Sequence, residues 1–599
     1  MSDTPIHVTP EGPSIAEVHA ALTAPGQIFE MDDVVVRGIP VRAWKHAPAS
    51  LRVFLDNSRA HGDLEFLVFD AAAAGGAPDP LDRLTFESHY RAVATFAHRL
   101  VDEHGLRKGD RLAIAMRNFP EWSVAFWAAA IAGAIVVPLN AWWTGAELEY
   151  GLADSGSTVL VCDRERAERL VDHLPALPEL RHVIVAKPGD GSLPTPPPGV
   201  SMVRFDEAMG PIDDTATPPA VPLDPDDPAT IFYTSGTTGN PKGALGTHRN
   251  ICGNVISLAF AGARAGMRAA ASTPAPAAPP APAAPGSGRN VYLLSVPFFH
   301  ATGCHSVLVA NLAAGGKIVI MHKWDAGRAL QLIEQERVTI FGGVPAMVWQ
   351  VLEHPDFDRT DLSSVKSIGY GGAPAAPELV RRIEAMFPGR SPSNGYGLTE
   401  TSSVTTMNSG VDYQRKPDSV GVPVPVCDLK VVDAEGNSLP AGAVGELWIK
   451  GPNVVEGYWN KPEATAASFS DGWLHSGDVA RIDEEGFVYI VDRAKDMIIR
   501  GGENVYCVEV EAALFEHPAV TDAAVIGIPH HVLGEEVGAA VHLAPGTSAT
   551  EQELRDWVAQ RLAAFKVPVR IWFLDDPLPR NANGKIMKRD LKADLLAGA

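Results

Sequence analysis

The chain has 599 residues, well past the size of about 250 to 300 residues at which one hydrophobic core stops growing, so two or more domains are expected. Its apolar and charged fractions, 46% and 20%, are those of an ordinary globular protein. A formal net charge of -22 argues against a general electrostatic grip on nucleic acid or anionic lipid, because both carry the same sign.

The first residues, Met1 to Ser14, are polar and Pro-rich and lack the basic-then-apolar order of a signal peptide. Residues 1–50 carry no clear motif and read as an extension that packs on the first domain. Five cysteines, Cys162, Cys252, Cys304, Cys427 and Cys507, are never paired as Cys-x-x-Cys, which fits free thiols in a reducing cytoplasm. From Leu84 the pattern becomes regular: an amphipathic segment through Leu100, a turn at Lys108-Gly109-Asp110, then a strand from Arg111 to Ala115.

The run Trp122 to Trp143 is nearly apolar and long enough to raise the question of a membrane span. Gly133 and Pro138 divide it, and the β-branched triplet Ile135-Val136-Val137 follows its Ala-rich half. A buried helix followed by a buried strand is therefore expected, without stable membrane insertion. Strands continue to alternate with helices through Leu160-Val161, Val183 to Val185, Thr230 to Tyr233, Lys317 to Met321 and Thr339 to Gly343, the mark of α/β architecture with largely parallel sheets.

Within that alternation, Gly262 to Gly288 is an Ala/Pro tract without an aromatic residue and reads as a disordered insertion. After Val420, shorter segments joined by Gly/Asp/Pro turns suggest a small β-rich subdomain. From about Lys495 a further unit of roughly a hundred residues is large enough to be its own domain.

The stretch Thr234-Ser235-Gly236-Thr237-Thr238-Gly239-Asn240-Pro241-Lys242-Gly243 follows an apolar run, so it reads as a loop leaving a strand end. Its glycines permit close backbone approach, and its hydroxyls and ammonium are donors that polyphosphate oxygens accept. It is not a Walker A motif, because Pro241 precedes Lys242 and Gly243 follows it. A flexible surface loop is the competing reading. In Asn394-Gly395-Tyr396-Gly397-Leu398-Thr399-Glu400 an aromatic face suits a purine, and a hydroxyl beside a carboxylate offers hard ligands for magnesium. Further clusters are Gly369 to Pro374, Gly472 to Asp478, Asp492 to Asn504 and Pro579 to Arg589. His300, Cys304 and His305 make a poor zinc set, with no fourth ligand and atypical spacing.

Together and in this order, the six stretches resemble the core motifs of the adenylate-forming superfamily, which includes acyl-CoA and aryl-CoA synthetases, luciferases and peptide-synthetase adenylation domains. The resemblance spans Leu84 to Asp590. It implies an α/β fold: a large domain at 51–493, made of two αβ subdomains and a small β-barrel-like subdomain, then a small mobile α+β domain at 494–599. The hinge would be Lys495 and the insertion would occupy 262–288.

The resemblance further implies that Thr234, Ser235, Gly236, Thr237, Thr238, Gly239 and Lys242 hold the β- and γ-phosphates of ATP. Gly372, Ala373 and Pro374, with Asn394, Gly395, Tyr396, Gly397 and Leu398, would bracket the adenine. Thr399 would touch the α-phosphate and Glu400 the Mg2+, while Asp478 and Arg493 would bind the ribose. Lys585 would bridge the carboxylate and the α-phosphate, although the neighbouring Arg580, Lys588 and Arg589 also permit a plain basic patch. Gly501, Gly502, Glu503 and Asn504 would line the pantetheine path of coenzyme A. His300 would gate the carboxylate pocket, with Phe299, Thr302, Gly303, Val344, Gly371 and Val404 around the acyl group.

The expected reaction is ATP-dependent ligation of a small-molecule carboxylic acid to coenzyme A through an acyl-AMP, with a medium- or long-chain fatty acid as the leading substrate. An aryl acid, or a carrier-protein acceptor, is the alternative. A homodimer is left open, and no nucleic-acid partner is expected.

Overall fold

The computed structural model describes residues 12–71, 79–189, 191–234, 240–270, 288–371, 377–493, 495–501, 503–581 and 585–597. Local rules lay down its first layer. Thr85 caps the helix Phe86–Asp102 through its hydroxyl, which accepts from Ser88 N at 3.1 Å, while Ser88 Oγ accepts from Thr85 N at 2.8 Å. Phe86, Tyr90, Val93, Phe96, Ala97 and Leu100 recur at helical spacing and form its buried face. Gly109, at φ +87°, makes the turn toward the strand Arg111–Ala115, a conformation that costs glycine nothing.

The apolar run resolves as expected into the helix Pro120–Ile131, buried at every position, and the strand Ile135–Pro138, with Gly133 at φ +78° between them. A helix of that length spans about 18 Å, and no described helix is long and apolar enough to cross a membrane. Its one carboxylate, Glu121, pairs with Lys187 at 3.2 Å.

Two large sheets face one another across these helices. The first has seven strands in the order Lys242–Thr247, Pro228–Thr234, Ile135–Pro138, Arg111–Ala115, Val159–Asp163, His182–Ala186 and Ser201–Arg204, and all but its first pairing are parallel. The second has nine strands, with Glu65–Phe69, Lys317–Ile320, Val291–Leu294, Ile340–Gly343, Ser367–Gly371 and Ser391–Tyr396 parallel at its centre. One apolar core takes Leu112 and Ile114 from the first sheet, Leu67 and Ile318 from the second, and Trp122, Phe126 and Phe96 from the helices between them.

A five-stranded antiparallel sheet follows, built from Asp428–Val432, Gly445–Lys450, Phe469–Ser470, Trp473–Ile482 and Val488–Arg493. Beyond Arg493 a second five-stranded sheet packs against the helices Cys507–Phe515 and Glu551–Ala559 around a core of its own, with Val505, Val510, Leu514, Val537, Val541 and Leu554 inside it. All five cysteines are buried and free.

The described part of the N-terminal extension, residues 12–50, packs on the segments around Phe260 and Val454. Phe29 and Trp44 pack on Phe260, and Arg37 Nη2 donates to the carbonyls of Val454 and Val455 at 3.2 and 3.3 Å. The tract starting at Gly262 is corrected over its first nine residues, which continue the helix His248–Ala270. Its Ala/Gly composition hides two buried arginines one helical turn apart: Arg264 donates to the Met407 carbonyl at 2.6 Å, and Arg268 pairs with Asp412 at 2.7 Å. Positions 271–287 lie outside the described residues.

Candidate active site

The phosphate-type stretch joins two antiparallel strands. Thr234 ends one strand, Lys242 opens its antiparallel partner, and the two residues face each other in register. Ser235 to Gly239 lie outside the described residues. Both flanks are tied to the helix Gly145–Ser155: the Tyr233 hydroxyl donates to Asp154 at 2.9 Å and the Tyr150 hydroxyl donates to the Pro241 carbonyl at 2.9 Å. Lys461 pairs with the same Asp154 at 2.6 Å. The stretch is thus held at its base, with Lys242 at the edge.

A segment that carried no motif runs along that edge. Leu245 N donates to the Gly457 carbonyl at 2.9 Å, Trp459 N to the Gly243 carbonyl at 2.8 Å, and Val455 N to the Glu400 carbonyl at 2.9 Å. These bonds set Tyr458 between two site residues. Its hydroxyl donates to Glu400 Oε1 at 2.7 Å, and its ring centroid lies 4.9 Å from Lys242 Nζ. Burial and the adjacent Glu400 carboxylate push the phenol up, so it stays protonated and acts as a donor.

Across the groove, Asp478 and Arg493 are cross-strand partners with Arg493 Nε 2.8 Å from Asp478 Oδ1, and the Tyr396 hydroxyl donates to Asp478 Oδ2 at 2.7 Å. Asp478 is 2% exposed, so both oxygens are committed and the carboxylate is held at one orientation. Thr399, Glu400 and Thr401 form a single helical turn, closed by Leu398 N donating to Thr401 Oγ1 at 2.8 Å. The next residues, Ser402 and Ser403, adopt φ +55° and +110°, a strain kept only where the surroundings enforce it. Gly397 has a structural reason to be glycine: a Cβ there would meet the Ser403 carbonyl oxygen at 1.4 Å. Gly395, by contrast, has ordinary contact distance to Met407, and Asn394 is buried at 8% exposure. Gly372, Ala373 and Pro374 lie outside the described residues.

His300 and Lys585 approach each other from the two domains. Burial, with the charge of Lys585 added, lowers the His300 imidazole to about 4, so it is neutral at physiological pH. Lys585 is held next to the bridge between Arg580 and Ile586, with Asn581 N donating to its carbonyl at 2.9 Å and its own N–H donating to Asn581 Oδ1 at 3.0 Å. Burial first, then the positive charges of Arg493 and Lys495, bring its ammonium down toward about 8. As a residue Lys585 keeps an exposed surface, so solvent screens part of this effect and the direction is downward. Lys495 is lowered for the same reasons, burial and Arg493.

The remaining predicted residues stand apart. Gly501, at φ +60°, turns between the strands Ile498–Arg500 and Glu503–Val505, and its N–H donates to the Leu533 carbonyl at 2.8 Å inside the small domain. Glu503 and Asn504 are exposed on that hairpin, and Gly502 lies outside the described residues. The buried Asp492 caps the helix Cys507–Phe515: Cys507 N donates to its Oδ2 at 2.5 Å, and Arg493 N donates to its Oδ1 at 2.7 Å. Burial raises this carboxyl to about 6.

The Glu400 carboxylate and the Thr399 hydroxyl are oxygen donors of the kind Mg2+ takes. Among the described residues no three His, Cys, Asp or Glu side chains gather in a metal-binding group. An ion at Glu400 would draw the rest of its shell from phosphate oxygens and water, which is the usual habit of Mg2+.

The chain belongs to the AMP-binding enzyme family, whose family model matches residues 54–459, with that of the AMP-binding enzyme C-terminal domain at 509–585. Feruloyl-CoA synthase of an Amycolatopsis species is 36% identical over 509 residues, 85% of this chain and 93% of the relative. A long-chain-fatty-acid–CoA ligase of Bacillus subtilis is 34% identical over 515 residues, 82% of this chain and 86% of the relative. Among solved structures, o-succinylbenzoate CoA synthetase of Bacillus subtilis, in complex with its acyl-adenylate intermediate, superposes with a TM-score of 0.72 at 29% identity, covering 90% of this chain and 97% of that one. The protein is accordingly an AMP-forming acid–thiol ligase that uses ATP, Mg2+ and coenzyme A and works through an acyl-adenylate.

Proposed function

We propose that this ligase activates an apolar monocarboxylic acid whose carboxyl group is attached to a flat, aryl or alkenyl body, with a fatty acid as the second reading. The observation that carries the first part is the distribution of charge. Arg493, Lys495 and Lys585 stand close enough to bear on one another's charge, and Lys242 stands over Tyr458 at the hairpin edge. The residues flanking His300, namely Phe298, Phe299, Ala301 and Cys304, are apolar and buried, as are Val344 and Val404. A pocket bounded by these residues would offer nothing to a second carboxylate on the acid.

The flat body is supported by the adjoining strand ends. At Gly342 a Cβ would stand 1.6 Å from the Gly369 carbonyl oxygen, and at Gly371 one would stand 2.8 Å from that of Gly395. Backbone packs on backbone at these two positions, neither of which admits a side chain. The first-named relative acts on a feruloyl group. The fatty-acid reading rests on the second relative, of nearly equal identity.

The residue roles follow from charge. Attack of a carboxylate on the α-phosphorus brings two anions together, so the site must neutralise charge and fix an in-line geometry rather than supply a base. Lys585 meets the carboxylate and α-phosphate, Lys242 and the hairpin turn hold the departing pyrophosphate, and Asp478 with Arg493 and Tyr396 orients the nucleoside. Glu400 and Thr399 would hold Mg2+, which supplies positive charge to the phosphate oxygens. His300, being neutral, shapes the carboxylate pocket without competing for its charge. In the second half-reaction the CoA sulfur attacks the acyl carbonyl and AMP leaves; rotation about Lys495 would withdraw Lys585 and bring up the Gly501–Asn504 hairpin.

Release of AMP from ATP, Mg2+ and coenzyme A is measured with ferulate, cinnamate, benzoate, octanoate, palmitate and malonate. The expected order places the aryl alkenoates first and malonate at background. Palmitate above ferulate would move the substrate to the second reading, and malonate above both would overturn the apolar pocket.

A further inference from the structure

We infer that Tyr458 is a positioning residue of the adenylation step, one that sets the Mg2+ requirement of the enzyme by fixing Glu400 and Lys242 together. The inference rests on the roles proposed above for those two residues and adds a third that touches both. No hydrogen bond or ion pair joins Glu400 to Lys242, and they sit on different substructures, the turn Thr399–Thr401 and the hairpin edge. Tyr458 spans them with the two ends of one side chain, its hydroxyl on Glu400 Oε1 at 2.7 Å and its ring 4.9 Å from the Lys242 ammonium.

The geometry commits the carboxylate. With Oε1 taken by a protonated phenol, the second oxygen is the one turned to other use, and among the described residues no donor reaches it. A carboxylate so held loses one route of rotation before an ion arrives, and part of the ordering that binding demands is already done. On the other side, an ammonium over the phenol face is attracted by the ring quadrupole. That attraction steadies Lys242 along the groove without using any of its three N–H donors, all of which stay available to phosphate oxygens.

The backbone of the segment is fixed independently of the phenol. Gly457 and Trp459 pair with Leu245 and Gly243, Val455 with Glu400, and Arg37 and Asn250 each hold the Val454 carbonyl, at 3.2 and 3.1 Å. Removing one hydroxyl from Tyr458 should therefore leave the fold in place and change only the freedom of Glu400. The ring supplies a separable second contribution.

Pyrophosphate release without coenzyme A is followed on the full-length enzyme while free Mg2+ is titrated at saturating ATP and acid. Thioester formation from supplied acyl-AMP and coenzyme A is measured in parallel, because it involves no pyrophosphate. For Tyr458→Phe the Mg2+ concentration at half-maximal rate should rise about tenfold, the magnitude typical of losing a partner behind a metal ligand. The maximal rate should stay within about threefold, and the KM for the acid and the thioester rate should not change. Tyr458→Leu, which also removes the ring, should show the same Mg2+ shift and in addition a raised KM for ATP.

A Tyr458→Phe enzyme with the wild-type Mg2+ curve overturns the inference, as does one in which acid KM, thioester rate and Mg2+ dependence decline together. Glu400→Gln separates this from failure of the underlying assignment. If that variant leaves the Mg2+ curve unchanged, Glu400 does not hold the ion and the proposed site itself is wrong. If it shifts the curve and Tyr458→Phe added to it causes no further shift, the phenol acts through Glu400 as inferred; an independent further shift overturns that link. Should Tyr458→Phe fail to fold, Tyr458→His serves, since it keeps a ring but places no hydroxyl on Glu400: a Mg2+ shift with normal thioester formation supports the inference, and a wild-type curve overturns it.

Discussion

Two lysines proposed above to serve one reaction are mounted in opposite ways. Lys242 opens a strand of a hairpin whose flanks are tied by Tyr150 and Tyr233 to one helix, and a phenol ring lies under its ammonium. Lys585 stands next to the bridge between Arg580 and Ile586 in a separate domain, its charge disfavoured by burial and by Arg493 and Lys495. The fixed lysine suits a group that is present throughout, the polyphosphate. The other is held where burial and neighbouring cations resist its charge, on a unit with a core of its own. The difference separates binding of ATP from the act of adenylation.

The sharpest way to break this contrast is Lys585→Ala. Loss of a group that stabilises transition-state charge should lower acyl-AMP formation about a hundredfold or more, roughly 3 kcal/mol, while thioester formation from supplied acyl-AMP stays within about threefold. Equal loss in both half-reactions would show that Lys585 is structural. Next in size is Asp478→Ala, which strips a partner from both Tyr396 and Arg493. Hydrogen bonds to charged groups contribute about 1.5–3 kcal/mol, discounted here because Arg493 is partly exposed, so the KM for ATP should rise about tenfold with the acid KM unchanged.

Lys242→Met should be milder still: a several-fold rise in the KM for ATP, with the hairpin intact by thermal denaturation and the half-reaction from acyl-AMP untouched. The smallest effect is in pH. The lowered ammonium of Lys585 is charged below about 8 and neutral above it, so kcat/KM for adenylation should fall on the alkaline side of that value, where an ordinary lysine would hold out to about 10.4. Lys585→Arg should abolish the alkaline limb within the accessible range, because guanidinium does not deprotonate there.

The motif stretches could be picked out of the sequence because each depends on local composition, glycines with hydroxyls and carboxylates, and the structure sets Lys242 and Glu400 on either side of one tyrosine. The buried helix at Pro120–Ile131 was legible for the same reason, since Gly133 and Pro138 punctuate the apolar run. Tyr458 was not. It lies 58 residues after Glu400, in a segment whose place is set by backbone pairing to a hairpin edge, and nothing in its own neighbourhood in sequence announces that pairing. The helical residues 262–270 were hidden in a different way. Their small side chains look like linker, and only the tertiary anchors Met407 and Asp412 explain why Arg264 and Arg268 are buried. Gly397 shows the reverse case, a motif glycine that a contact with Ser403 already requires.

Asp492 bears on what counts as a domain. The helix Cys507–Phe515 has no side-chain cap of its own at Tyr506 and begins instead on a carboxylate from the last strand of the large domain. A cap of this kind contributes about 1 kcal/mol. The small unit therefore borrows part of its stability from across the hinge, and a cut drawn after Arg493 severs that loan. A fragment starting at Asp492 should melt higher than one starting at Ala494, and any swing of the small domain that separates Asp492 from Cys507 has to begin by uncapping the helix it carries.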